Sequence, residues 1–233
     1  MPPAPMSRSP SFIDQFAPAP PMTSDYAGLF FLLNIFLVLG LYGDFTDPAR
    51  QARGLSPFEL LLLLGRRWFG RAFAADPIGP ILRTLAGLAP REPVGRHFDA
   101  PSWSVPDDWL RPWPRHRARV VTSAGGVSRW HKTGFPIADR WCVPRAPGWL
   151  RRRWISGLAR YLEARLARAL GIEDMTAALA MVVRLRGTIA VDGDRVDVRF
   201  ALNDHPLALR LAGLDRDPGW IPAAGRSIGF HFT

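Results

Sequence analysis

Residues 26–43 form an uncharged apolar run, Y-A-G-L-F-F-L-L-N-I-F-L-V-L-G-L-Y-G. Its length is at the lower limit for a helix that spans a membrane. Two observations favour burial inside the protein: the run contains Asn34, and Ser56 and Glu59 form a capping box before a second apolar segment, Leu60–Leu64. Helices that are apolar on all sides bury each other in a core. The run therefore predicts a buried helical hairpin, with a membrane span or a membrane-surface anchor as the alternative.

The charge of the chain is concentrated in one central segment. Residues 111–170 carry 14 basic and two acidic residues, whereas residues 1–110 and 171–233 each sum to −1, and the formal net charge is +10. The same segment holds five of the nine tryptophans. Arginine and tryptophan are enriched at protein interfaces. The segment therefore predicts a contact surface, which we assign to Arg115, Arg117, Arg119, Trp130, Arg151, Arg152 and Arg153.

Other protein subunits are the favoured partners of this surface. Nucleic acid is an alternative, because cationic and aromatic side chains also hold single strands, but the sequence has no helix-turn-helix, zinc-finger or paired-aromatic motif. A membrane is the other alternative, since anionic lipids attract arginine. The single cysteine, Cys142, excludes an internal disulfide framework. With no apolar segment at the start of the chain, this predicts a cytoplasmic protein, with membrane association as the alternative.

No catalytic motif stands out in the sequence. His205 and His231 fall in the same predicted sheet region as an acidic loop, and surface histidines are the favoured interpretation. The loop lacks the complete ligand set of a calcium site, so it is interpreted as a structural turn. Its residues are Asp215, Asp217, Gly219 and Trp220. The sequence therefore predicts no catalytic residues, no metal site and no cofactor.

Changes in composition and periodicity predict four regions. We expect a flexible Pro/Ala-rich leader at 1–23 and a helical module at 24–90. A Pro/Trp-rich linker or strap follows at 91–115, and an α+β domain occupies 116–233.

The C-terminal region predicts one amphipathic helix and an antiparallel sheet of about four strands. Apolar residues at helical spacing run from Pro147 to Leu170 and stop before Gly171. A hairpin is predicted at Arg117–Thr133, and Asp192-Gly193 is a second hairpin turn. Alternating apolar residues predict the strands, at about 185–191, 196–202, 207–211 and 228–232. Packing the helix on this sheet, beside the N-terminal helical hairpin, gives the α+β fold class.

Two stretches resemble segments of a group of bacterial proteins. They are W-H-K-T-G-F-P-I-A-D, at Trp130–Asp139, and R-L-A-G-L-D-R-D-P-G-W-I-P-A-A-G-R, at Arg210–Arg226. The group consists of uncharacterised bacterial proteins associated with phage-tail-like contractile injection loci. The resemblance implies a structural or assembly role and carries no catalytic residues.

The function expected from the sequence is that of a non-enzymatic structural or interaction protein. It would be a component of a bacterial multiprotein assembly, and the resemblance implies an assembly of the contractile-injection type. The alternatives are a membrane-associated protein anchored by residues 26–43 and a nucleic-acid-binding protein that uses residues 111–170.

Overall fold

The computed structural model describes residues 20–43, 52–101, 103, 105–113, 119–123, 126–130 and 148–233. The helices in these residues are α1 (Leu32–Val38), α2 (Pro57–Ala74), α3 (Ile78–Leu85), α4 (Trp149–Leu170), α5 (Met175–Val183) and α6 (Leu207–Leu211). The strands are β1 (Met22–Ser24), β2 (Arg119–Ser123), β3 (Gly126–Trp130), β4 (Gly187–Asp192), β5 (Arg195–Phe200), β6 (Gly219–Ile221) and β7 (Arg226–Phe232). Helices and a sheet together confirm the α+β class.

The main sheet has five strands in the order β1-β4-β5-β7-β6. Strands β4 and β5 form an antiparallel hairpin in which Asp192 pairs with Arg195, so the two turn residues are Gly193 and Asp194, one position later than predicted. Strands β5 and β7 are parallel, because the chain between them crosses over through α6 and β6. The sheet is therefore mixed, which corrects the predicted antiparallel pairing.

The segment predicted as a strand at 207–211 is helix α6. Its sequence, L-A-L-R-L, alternates, but five residues are too few to separate a period of two from a period of 3.6. Leu209 is buried, whereas Leu207 and Leu211 are exposed on one side of the helix. Strands β2 and β3 pair as the predicted hairpin, with Arg119 opposite Trp130.

Most of the apolar run at 26–43 is buried inside the protein, while Leu37 and Val38 are exposed. It forms a 3-10 turn, Ala27–Phe31, followed by α1. Phe31 contacts Phe200 of β5 and Phe230 of β7, with ring centroids 4.7 and 4.9 Å apart. In the described part of the chain, no helix has the length and apolar character needed to cross a membrane. The connection to α2, residues 44–51, lies outside the described residues, and the hairpin itself stays a prediction.

The N-terminal helices and the C-terminal sheet share one hydrophobic core. Strand β1 pairs with β4. A Cβ at Gly28 would clash with the carbonyl oxygen of Val182 in α5, so only glycine allows this close approach. Helix α2 begins with the predicted capping box, in which the side chains of Ser56 and Glu59 each accept the other's backbone N–H.

The Pro/Trp-rich segment lies across α4 with its described tryptophans buried. The ring of Trp103 packs on Gly157 so closely that a Cβ there would clash with it. Trp109 packs on Tyr161, with ring centroids 4.9 Å apart, and its Nε1 donates to the Leu39 carbonyl oxygen at 2.9 Å. This strap therefore joins α1 to α4.

Candidate interaction surface

The first half of α4 presents a basic face. Trp149, Arg152, Arg153, Ser156 and Arg160 recur at spacings of three and four residues, which places them on one side of the helix. The Arg153 guanidinium carbon lies 4.8 Å from the centre of a Trp149 ring, in a cation–π contact. No acidic residue occupies the first turn of α4. Cations at a helix N-terminus oppose the helix dipole, so this end of α4 favours an anion.

Helix α2 extends the basic face with two more arginines, Arg66 and Arg67. The Nε atom of Arg67 donates to Ser156 Oγ at 3.4 Å. One residue further along, Trp68 Nε1 donates to Glu163 Oε1 at 2.8 Å. These two bonds set α2 against α4. We call Arg66, Arg67, Arg152, Arg153 and Arg160 the arginine face; Arg153 is half-buried and the other four are exposed.

Positive charges crowd together at the α3 side of the arginine face. Burial, followed by the nearby charge of Arg83, lowers the pKa of Arg66 below its usual value. Burial also lowers the pKa of Arg153. Within the described residues, no carboxylate lies at ion-pair distance from Arg66, Arg67 or Arg160. Arg66, Arg67 and Arg160 therefore carry positive charge that no described carboxylate balances.

The three consecutive arginines at 151–153 have different surroundings. Arg152 and Arg153 lie on the arginine face, and their role as contact residues stays a prediction. Arg151 points to another side of α4, where its Nη1 donates to the carbonyl oxygens of Gly95 at 2.7 Å and Val94 at 3.3 Å. Arg151 therefore holds a loop of the protein itself.

The other four predicted contact residues belong to the central segment before α4. Arg115 and Arg117 lie outside the described residues. Arg119 and Trp130 face each other across the β2–β3 hairpin, and their side chains also lie outside the described part. Their role as contact residues stays a prediction.

Sequence reasoning did not assign Arg66, Arg67 and Arg160 to the surface. Arg66 and Arg67 come from a region of nearly neutral net charge, so a count of charge along the sequence does not identify them as part of a basic surface. The available signals were the Arg-Arg pair in the second half of an apolar helix and the spacing of Arg160 eight residues after Arg152.

The two histidines form separate clusters on opposite faces of the main sheet. His205 Nε2 lies 3.1 Å from Asp215 Oδ2, and the ring packs on Phe232 with centroids 4.4 Å apart. His231 alternates with Phe232 along β7 and lies on the other face, 2.8 Å from Asp197 Oδ1. The side chain of His205 is only 4% exposed, so the predicted surface position of this histidine is wrong. The crossover after β5 folds this side chain onto the core. The two histidines do not converge on one site.

Asp197 is held as a carboxylate on the open face of the sheet. Burial alone would raise the pKa of Asp197, but hydrogen bonds from His231 and Arg195 and the charges of both lower it below the usual value. Both carboxylate oxygens of Asp197 lie 3.0 Å from Arg195 Nε. Among the described residues, no group of three or more His, Cys, Asp or Glu side chains could hold a metal ion.

The acidic loop after α6 bonds to its own surroundings. The Nδ2 atom of Asn34 in α1 donates to the carbonyl oxygens of Leu214 at 2.9 Å and Arg216 at 2.7 Å. Asp217 Oδ1 accepts the backbone N–H of Phe230 at 2.6 Å and so extends the hydrogen bonding of β7. Gly219 has a φ of 68°, and Trp220 after it is 49% exposed.

Comparisons with protein-family models, curated proteins and solved structures found no match. The function is therefore inferred from the chemistry of the arginine face.

Proposed function

We propose that this chain is a non-enzymatic structural or interaction protein whose arginine face docks on an acidic surface of another protein subunit. One observation carries the proposal: Arg66, Arg67 and Arg160 have no carboxylate partner in the described fold, while Arg66 is crowded by Arg83. Guanidinium groups bind carboxylates through paired hydrogen bonds, and an anionic partner relieves the repulsion between crowded cations.

The start of α4 supports the same proposal. Arg152 and Arg153 lie in the first turns of this helix, where the helix dipole disfavours cations by a few tenths of a kcal/mol. A partner's carboxylates at this position would interact favourably with the arginines and with the dipole. The contact between Arg153 and Trp149 adds a flat aromatic surface, of a type enriched at protein interfaces.

The setting that we propose is a bacterial multiprotein assembly, contractile-injection-like in view of the sequence resemblance. Nucleic acid and anionic lipid are alternative ligands of the same arginine face. A membrane anchor at residues 26–43 has less support, because Phe30, Phe31 and Leu32 are fully buried by the protein.

Charge reversal on the arginine face tests this proposal. The double variant Arg67→Glu/Arg160→Glu is compared with Arg199→Glu, which reverses an exposed charge on the sheet. The tagged proteins are incubated with nuclease-treated extract of the native host, and bound proteins are quantified by mass spectrometry. We expect the wild type and Arg199→Glu to retain a stoichiometric partner with an acidic surface. The amount of this partner that is retained should fall about tenfold with the double variant.

Equal retention of the same proteins by all three chains would show that the arginine face is not the docking surface. A partner that the wild type retains from untreated extract but not from nuclease-treated extract would favour the nucleic-acid alternative instead. Circular dichroism of each variant checks that the helices are intact.

A further inference from the structure

The loop between α3 and the tryptophan strap forms an open hollow at the surface, and its apolar lining residues Ala89, Pro90 and Pro93 are exposed. The hollow has a volume of about 630 Å³ and combines three small apolar walls with two guanidinium groups and one carboxylate. Its lining residues are Ala89, Pro90, Arg91, Glu92, Pro93 and Arg96.

Side chains from α2, α3 and α4 hold this loop in place from three sides, and the one from α2, Glu59, is buried. Arg83 Nη2 donates to the carbonyl oxygens of Ala89, Pro90 and Glu92, at 2.6, 3.1 and 2.8 Å. From the start of α2, Glu59 Oε1 accepts the backbone N–H of Gly95 at 2.7 Å. Arg151 binds the carbonyl oxygens of the same turn from α4. A ligand would therefore meet a preformed loop and lose little free energy in ordering it.

The loop that forms the hollow is bonded to α2 and α4, the two helices that carry the arginine face, through Glu59 and Arg151. Arg83, which holds one side of the loop, is close enough to Arg66 for its charge to lower the pKa of that arginine. Arg151, which holds the other side, directly precedes Arg152 on α4.

The charges of the hollow favour an anion. Arg91 and Arg96 are exposed, and within the described residues neither forms an ion pair. The Glu92 carboxylate is engaged in its own loop, where Oε2 accepts the Ala89 backbone N–H at 3.2 Å and Oε1 lies 3.7 Å from His97 Nε2. The two guanidinium groups are thus available to carboxylates outside the chain.

We propose that the hollow receives an aliphatic side chain of an acidic polypeptide segment, with the carboxylates beside it bound by Arg91 and Arg96. This inference rests on the proposed function, because it specifies which feature of the acidic partner enters the protein. The walls from Ala89, Pro90 and Pro93 suit an aliphatic side chain. No aromatic ring lines the hollow, so it lacks the platform on which nucleic-acid bases stack.

Binding of labelled peptides to the full chain tests the inference. The probes are a 12-residue peptide of alternating Leu and Glu, the same peptide with Gly in place of Leu, a 20-nucleotide oligo-dT, and vesicles of phosphatidylglycerol. Fluorescence anisotropy measures the affinity for the peptides and the DNA, and co-sedimentation measures vesicle binding. We expect the Leu peptide to bind about tenfold more tightly than the Gly peptide, because its leucines are transferred out of water.

Two variants assign the effect to the hollow. Arg91→Gln/Arg96→Gln is expected to weaken binding of the Leu peptide about fivefold, through the loss of two exposed charge contacts. Ala89→Phe narrows the hollow and is expected to reduce the difference in affinity between the two peptides. Arg199→Gln, a change of exposed charge on the sheet, is expected to leave the affinity unchanged.

The outcomes separate this inference from the proposed function. If Arg67→Glu/Arg160→Glu abolishes peptide binding while Arg91→Gln/Arg96→Gln does not, the hollow is not the anchor and the arginine face still stands. If none of these variants changes the affinity for the Leu peptide, both proposals fail. Equal binding of the two peptides by the wild type overturns the inference, and so does tighter binding of the DNA or the vesicles.

Discussion

Tyr161 shows how one buried hydroxyl group can join separate parts of the chain. Its hydroxyl donates to the Trp109 carbonyl oxygen at 2.7 Å and accepts from Arg165 Nη1 at 3.0 Å. Burial raises the pKa of Tyr161 to about 12, although the charge and the hydrogen bond of Arg165 act in the opposite direction. The neutral hydroxyl therefore fastens the tryptophan strap to α4.

Removing this hydroxyl should change both the stability and its dependence on pH. The pKa of Tyr161 is 10.0 in its usual state and about 12 in the folded protein, so its stabilising contribution is complete below pH 10 and is lost as the pH rises to about 12. We expect the contribution of Tyr161 to the free energy of unfolding to fall by about 2 kcal/mol over that range. In Tyr161→Phe the free energy of unfolding should therefore fall less over the same range, and the variant should lose about 1 kcal/mol at pH 8.

Urea unfolding followed by tryptophan fluorescence measures both effects. Burial also raises the pKa of Tyr42 well above its usual value, so the readout is the difference between the wild type and Tyr161→Phe at each pH. Identical pH profiles for the two proteins would contradict the prediction.

At the scale of elements, helix α2 contains a kink that one glycine makes possible. Gly70 has a φ of 53° and a ψ of −120°, a conformation that residues with a Cβ rarely adopt. After the kink, Phe73 folds back onto Gly65, where a Cβ would clash with its ring. Phe73 also packs edge-on against Tyr26, with ring centroids 5.5 Å apart. The kink therefore allows the end of α2 to close over the first apolar segment.

Gly70→Ala should destabilise the protein, because alanine is strained in this conformation. We expect a loss of about 1–3 kcal/mol in the free energy of unfolding. Arg71→Ala, at the exposed neighbouring position, is the control and should change it by less than about 0.5 kcal/mol. Thermal and urea unfolding measure both variants, and a straight, unstrained helix would instead give a more stable Gly70→Ala protein.

At the scale of the whole molecule, one asparagine joins the N-terminal and C-terminal regions of the protein. Asn34 lies in α1 and binds the carbonyl oxygens of Leu214 and Arg216, which are 180 and 182 residues away in sequence. A polar side chain inside an apolar run therefore has a structural partner in the last crossover of the sheet. Substitution of Asn34 therefore tests whether the apolar run belongs to the protein core or to a membrane.

Asn34→Leu makes the run more apolar and removes both hydrogen bonds. If the run belongs to the core, two carbonyl oxygens lose their donor and the free energy of unfolding falls by about 1–3 kcal/mol. If the run inserted in a membrane, the same change would strengthen insertion. Leu37→Asn is the control on the same helix, since Leu37 is 38% exposed, and should have a small effect on stability.

Urea unfolding and carbonate washing of host membranes provide the two readouts. Unchanged stability of Asn34→Leu, together with retention in the washed membranes, would contradict a place for the run in the protein core.

The sequence by itself determined those features that depend on neighbouring residues. The capping box of Ser56 and Glu59 formed as predicted, and α4 ends at Gly171, whose φ is 69°. The β4–β5 hairpin and the α+β class followed from periodicity in the same way. These signals are local because caps, turns and apolar stripes act over a few positions.

Only the tertiary structure decided which residues share a surface. The parallel pairing of β5 and β7, the helical form of 207–211 and the burial of His205 depend on how a crossover packs on the core. The arginine face joins Arg67 to Ser156, which are 89 residues apart, while Arg151 faces inward beside two arginines that do not. A count of charge along the chain cannot distinguish these arginines, because exposure depends on which element packs against each side of a helix.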